Sequence, residues 1–245
     1  MDMIMVPSTI EVETIRLAFF LACAAIVWIG YQKRLTDRKA SFFTGILGFY
    51  FIFLFPLYWF SSLLLLYLAT SFATKQKSRW KQIFHKKGRK IKNIASNLAP
   101  SVLFSALYLI DHQPYFYLAF LCSAACACSD TVASEIGQLS GKKPRLITTW
   151  EEVKTGVDGG ISGLGTSAAA LGSLVTAAPA IFMSPQAFAI KFFVIASVIG
   201  FLGCNIDSYL GARFQLRGKL SNEGTNLAAT GISAVLGLLV WFLVF

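Results

Sequence analysis

The sequence predicts an all-α polytopic membrane protein with about eight transmembrane helices, some of them short or broken. Three observations predict it. Apolar residues fill 56% of the 245 positions and charged residues only 14%, against about a quarter in a soluble domain. The apolar residues come in long runs, near the roughly 20 residues that cross a hydrocarbon core about 30 Å thick. The basic residues gather in four loops that share one side if the runs alternate across the membrane. Together these exclude an ordinary soluble enzyme, a disordered chain and a secreted disulfide scaffold.

The first run, 14–31, follows a polar stretch with no early basic region, so it reads as a helix and not as a cleaved signal peptide. The second, 41–74, is too long for one crossing and has Pro56 in its middle. Proline breaks or kinks a helix, so two short helices are expected, at 41–55 and 57–73. Further spans are expected at 94–110, 114–136, 156–182, 185–212 and 225–245. All belong to one integral domain, 1–245, with N-terminal helices at 14–73 and a core at 94–245 that carries the candidate chemistry.

The charge pattern supports the break at Pro56. Loops 32–40, 74–93, 137–155 and 213–224 hold four, nine, four and three basic residues, which is twenty of the twenty-two in the chain. Only Arg16 and Lys191 lie elsewhere. Eight alternating spans put all four loops on one side, and the excess of Lys and Arg makes that side cytoplasmic, with both termini outside. A single span over 41–74 would split them. Loop 74–93 reads either as a topology and anionic-lipid signal or as a phosphate-binding lid. No nucleic-acid-binding module surrounds it. The five cysteines form no Cys-x-x-Cys pair and sit inside apolar runs, so they read as small residues at helix contacts.

Ionisable groups at membrane depth are costly and mark functional sites. Asp130 and Glu135 fall at the cytoplasmic end of the fifth expected span, Asp207 near that end of the seventh, and Asp158 at the opening of the sixth. All four carboxylates share one depth, on the side of the basic loops. Asp130 shares a helix face with Ser134, and Asp207 with Gly203 and Gly211. Carboxylates beside small residues suit Mg²⁺, a hard cation that takes oxygen ligands and substrate phosphates. The alternatives are salt bridges to Arg213, Arg145 or Lys154, or a helix cap at Asp158. Loop 137–160 mixes glycines, basic residues and hydroxyls and leads into a helix start, a natural anion site. It is not a P-loop: Gly137 and Gly141 are one residue too close, and no Ser or Thr follows Lys142.

At these residues the chain resembles a known family. Asp-Thr-Val-Ala-Ser-Glu-Ile-Gly (130–137), Lys-Pro-Arg-Leu-Ile-Thr-Thr-Trp (143–150) and Val-Asp-Gly-Gly-Ile-Ser (157–162) resemble the transmembrane protein 19 family, which includes the phytyl-phosphate kinases of tocopherol synthesis. The resemblance continues at Lys-Lys-Gly-Arg (86–89), Asn97, residues 206–215 and Asn226, covering most of 70–245. A fainter likeness links Asp130, Ala133, Gly137, Gly141-Lys142, Lys154-Thr155 and Asp158-Gly159 to membrane cytidylyltransferases and to dolichol and phytol kinases. In that group Glu stands roughly where this chain has Asp158.

The resemblance implies a membrane kinase that moves a phosphoryl group from a nucleoside triphosphate, CTP for preference, to an isoprenyl monophosphate such as phytyl, geranylgeranyl or farnesyl phosphate. It implies Asp130, Asp207 and Lys154 as catalytic residues, with Mg²⁺ held by Asp130, Asp207, Asp158 or Glu135. It implies Gly137, Gly141, Lys142, Lys143, Arg145, Thr155, Gly159 and Gly160 at the nucleotide, and Lys86, Lys87, Arg89, Asn97 and Arg213 at the acceptor phosphate. It further implies a multi-pass protein of a prokaryotic plasma or thylakoid membrane, with its active site on the cytoplasmic face. The expected partners are the nucleotide, the isoprenyl phosphate lipid and the membrane; a homodimer is left open and nucleic acid is excluded. The rivals are a prenyl-alcohol kinase, a CTP-dependent cytidylyltransferase, an ion-coupled transporter and a structural or lipid-scrambling protein.

Overall fold

The computed structural model describes residues 9–33, 35–76, 90–183 and 185–245. Among them are eight α-helices: α1 (Thr9–Gln32), α2 (Arg38–Leu54), α3 (Leu57–Lys75), α4 (Ile91–Asp111), α5 (Pro114–Gly137), α6 (Gly163–Ala177), α7 (Gln186–Leu210) and α8 (Asn222–Val244). Seven are long and apolar enough to cross a membrane, α6 together with the turn that carries it on to Phe182, and α2, at 17 residues, falls short of that length. The protein is an all-α, multi-pass membrane protein.

Pro56 separates α2 from α3, as its missing amide requires. The start of α2 lies earlier than its hydropathy suggests. Asp37 caps it by accepting a hydrogen bond from the Ala40 amide at 2.7 Å.

Helix α5 is the axis of the fold. Every residue from Tyr117 to Ser129 is buried, and the helix packs against α3, α4, α6, α7 and α8. Small residues allow this crowding. A Cβ on Gly200 of α7 would come within 2.9 Å of the Ala125 carbonyl carbon, and one on Gly237 of α8 within 2.9 Å of Cys122 Sγ. Lipid solvates apolar side chains as well as protein does, so close backbone packing is what holds such helices together. The five cysteines are free and buried, consistent with a packing role.

The sixth span differs from its expected start at residue 156. Gly156 and Gly159 take positive φ (90° and 77°), which turns the chain instead of beginning a helix. The helix starts at Gly163, where Ser162 Oγ accepts from the Gly165 amide at 3.1 Å, and ends in a 3₁₀ turn over Ala178–Phe182. The segment between α5 and α6 is folded rather than irregular. Strand β1 (Arg145–Leu146) pairs antiparallel with β2 (Gly160–Ile161), Arg145 opposite Ile161, and Arg145 also bridges to Glu152. Helix α7 runs on into a π turn at Gly211–Gln215.

Candidate active site

The helix ends that carry the basic loops enclose a cavity of about 1210 Å³. Lys33 and Leu35 line it from the first basic loop, Lys75 and Lys90 from the second, Gln138, Pro144 and Thr155 from the third and Gln215 from the fourth. The four loops therefore meet at one end of the bundle, as the charge pattern predicted.

Asp130 of α5 and Asp207 of α7 lie within hydrogen-bonding reach of each other on the wall of this cavity, with Asp158 close enough to add its field. The packing below them sets this contact. One turn earlier on each helix, Gly203 lies against Cys126, where a Cβ would come within 2.9 Å of the Cys126 Cβ. Positions four apart share a helix face, so that close approach carries Asp130 and Asp207 together. The buried Cys126 and Cys204 back the pair. Two carboxylates in contact need a proton or a cation between them.

Asp158 is not at a helix start but on the turn before β2. Its neighbour Gly159 anchors that turn to α7: a Cβ on Gly159 would lie 2.6 Å from the Ala212 amide nitrogen and from the Ser208 carbonyl oxygen. Partial burial raises the Asp158 carboxyl from its ordinary value, against a hydrogen bond with the Gln215 side chain that lowers it.

Glu135 lines the cavity but points away from the pair. Five residues beyond Asp130 on α5, it is about 140° round the helix, and Thr74 Oγ1 donates to it at 3.4 Å. The four expected metal ligands thus do not form one cluster. Among the described residues no group of three or more acidic, histidine or cysteine side chains is placed to hold an ion.

Three helix N-termini also reach the cavity. Lys90, Asn93 and Asn97 line it at the start of α4, Ser162, Gly165 and Thr166 at the start of α6, and Asn222, Glu223 and Asn226 at the start of α8. Each N-terminus carries roughly half a positive charge and unpaired amides. Converging on one space, they favour an anion there.

Of the other predicted residues, Gly137, Thr155, Gly159, Gly160 and Asn97 reach the wall. Gly141, Lys142, Lys143, Arg145, Lys154 and Arg213 are exposed and stand outside it. Glu152 accounts for two of these: Lys143 Nζ lies 3.8 Å and Arg145 Nη2 3.9 Å from its carboxylate, on the outer surface. Lys86, Lys87 and Arg89 lie outside the described residues. Sequence reasoning missed Lys33, Lys75, Lys90, Asn93 and Asn205 as wall residues. Asn205, an amide in an apolar run two residues before Asp207, was the available signal.

A family model described as integral membrane protein DUF92 matches residues 21–236. An uncharacterised membrane protein of Methanocaldococcus jannaschii is 36% identical over 62% of this chain and 63% of its own length. In Arabidopsis thaliana, the protein PGR is 39% identical over 40% of this chain and 37% of its own length. The chloroplastic protein VTE6 of the same plant is 34% identical over 51% of this chain and 38% of its own length. The chain thus spans less than two thirds of each of these relatives. No solved structure matches.

Proposed function

The chain belongs to the integral membrane protein DUF92 family, which is of the transmembrane protein 19 type, and from that premise we propose that it is an isoprenyl-phosphate kinase. It transfers the terminal phosphoryl group of a nucleoside triphosphate, CTP in the first instance, to an isoprenyl monophosphate and releases the isoprenyl diphosphate. The cavity opens to the cytoplasmic face, where the nucleotide is dissolved, and the acceptor arrives from the bilayer.

The observation that carries this reading is the contact between Asp130 and Asp207 in a cavity ringed by three helix N-termini. Donor and acceptor are both anionic, so like charges must be brought into line. Phosphoryl transfer is catalysed mainly by positioning and charge neutralisation. The acceptor phosphate oxygen is already a nucleophile, so no strong general base is required. His112, at the far end of α4, is accordingly not needed.

An adjacent carboxylate pair facing a polar cavity fits the donor set of Mg²⁺, which completes its shell with water and phosphate oxygens. Asp130 and Asp207 would hold the ion, and when bound it would neutralise charge on the donor phosphates. The start of α6, with its glycines and Ser162 cap, offers backbone amides to the nucleotide phosphates. Lys75 and Lys90, on α3 and at the head of α4, offer cations to the acceptor phosphate. The turn at Asp158–Gly159 closes the wall between the two.

The acceptor tests the reading. Purified protein should turn over phytyl phosphate and use free phytol poorly, because a site built for a dianion leaves its cations uncompensated around a neutral hydroxyl. Equal turnover of both would move the assignment to an alcohol kinase. Release of pyrophosphate would move it to a cytidylyltransferase.

A further inference from the structure

A second, apolar cleft lies beside the polar cavity. It holds about 90 Å³ of free space between α1, α2, α3 and α4. Leu35, Leu66, Thr74, Ile94 and Leu98 line both spaces, so the cleft abuts the polar cavity along this row. Beyond that junction the cleft is lined by Val27, Cys23, Leu47, Phe60, Leu63 and Leu64, with Gly48 among them. A Cβ at Gly48 would meet Cys23 Sγ at 2.9 Å. The missing side chain lets α1 and α2 close together there, which forms the floor of the cleft.

We propose that this cleft holds the hydrocarbon tail of the isoprenyl phosphate, running from the polar cavity into the membrane between α1 and α3. The proposal rests on the kinase reading for its substrate class, and it assigns the tail a place that reading leaves open. The junction is where an amphiphile would straddle. On its polar side stand Lys33, Lys75 and Lys90, and on its other side the wall is almost wholly hydrocarbon. Lining residues on α3 run from Thr74 to Phe60, fourteen residues or about 21 Å of helix axis. A four-isoprene chain has sixteen backbone carbons, each advancing roughly 1.25 Å per 1.52 Å bond, and so reaches about 20 Å. Free space of about 90 Å³ is less than a four-isoprene tail fills, so the tail enters by parting α1 from α3. Helix α1 packs mainly on α2, so it is the wall that can yield to lipid.

The test uses the full chain in lipid nanodiscs and a geranylgeranyl monophosphate bearing a diazirine at its far end. Labelling is mapped by peptide sequencing, with and without excess unlabelled geranylgeranyl phosphate. The expected result is labelling in α1 and in the Phe60–Leu64 turn of α3, reduced at least tenfold by the competitor. Leu63→Trp and Ser71→Phe, which narrow the cleft, should each lower the ratio of kcat/KM for geranylgeranyl phosphate to that for dimethylallyl phosphate at least tenfold. Label on the outer faces of α6 or α8, or label that the competitor leaves unchanged, overturns the proposal. So does an unchanged chain-length ratio in both variants. Competed labelling of α1 and α3 without any phosphoryl transfer would uphold the cleft and defeat the kinase reading. Transfer with the label elsewhere would do the reverse.

Discussion

The α-carbon of Gly159 is pressed against the amide of Ala212, leaving no room for a side chain. A Cβ there would sit 2.6 Å from the Ala212 nitrogen, and the residue's φ is 77°. The loop that carries Asp158 is thereby joined to the π turn that ends α7, the helix of Asp207. Gly159→Ala must either move that loop off α7 or distort the turn. Positive φ alone costs a side chain about 1 kcal/mol, and the overlap adds to it. Activity should fall at least tenfold, with a lower Tm, while Gly141→Ala, with open space around it, should match the parent in a side-by-side melt and assay.

Asp130→Asn and Asp207→Asn keep shape but remove charge from the pair. Each should lower kcat at least ~100-fold, about 2.7 kcal/mol of barrier. If the two act as one unit, the double variant should be little worse than either alone. Steady-state kinetics on the three proteins decide this, and additive losses would mean separate roles.

The cations that matter differ from those that sequence alone singled out. Lys143 and Arg145 are turned outward toward Glu152, an exposed arrangement worth little. Lys143→Ala should change the nucleotide KM by less than about threefold, the scale of such a surface pair. Lys75→Ala and Lys90→Ala, on the cavity wall, should raise the acceptor KM about tenfold, as expected for a lost charge-assisted contact. Parallel KM measurements with both substrates separate the two groups.

Topology can be read with a membrane-impermeant thiol reagent. Single cysteines at Lys39, Lys142 and Arg217 should all react from the cytoplasmic side, and one at Gln113 from the opposite side. The five native cysteines are buried and should stay silent. Reaction of positions 39 and 142 from opposite sides would contradict the fold as well as the orientation.

Much of the architecture was legible because bilayer chemistry writes itself into sequence. Pro56 announced the break between α2 and α3, and the basic loops announced which helix ends share a side. Asp130 and Asp207 stood out as charges in apolar runs, and their contact follows from Gly203 and Cys126 one turn below. The fold of segment 138–162 was not legible. Two-residue strands have no period to detect, and the pairing of Arg145 with Ile161 depends on where the positive-φ turns at Gly156 and Gly159 send the chain. The fate of Lys143 and Arg145 followed from the separate bridge between Arg145 and Glu152, which sets that carboxylate beside them. The wall lysines were hidden for another reason. Lys75 and Lys90 border the longest basic stretch, and composition cannot tell which of its nine cations face inward.

The central claim is the transfer itself, and its most direct measurement follows the label. Purified protein is incubated with Mg²⁺, geranylgeranyl phosphate and CTP labelled in the γ-phosphate, and the lipid and nucleotide products are resolved. The account predicts labelled geranylgeranyl diphosphate and an equal amount of CDP, both abolished in Asp130→Asn. Release of pyrophosphate with cytidylate on the lipid, or no label in any prenyl phosphate offered, would contradict it.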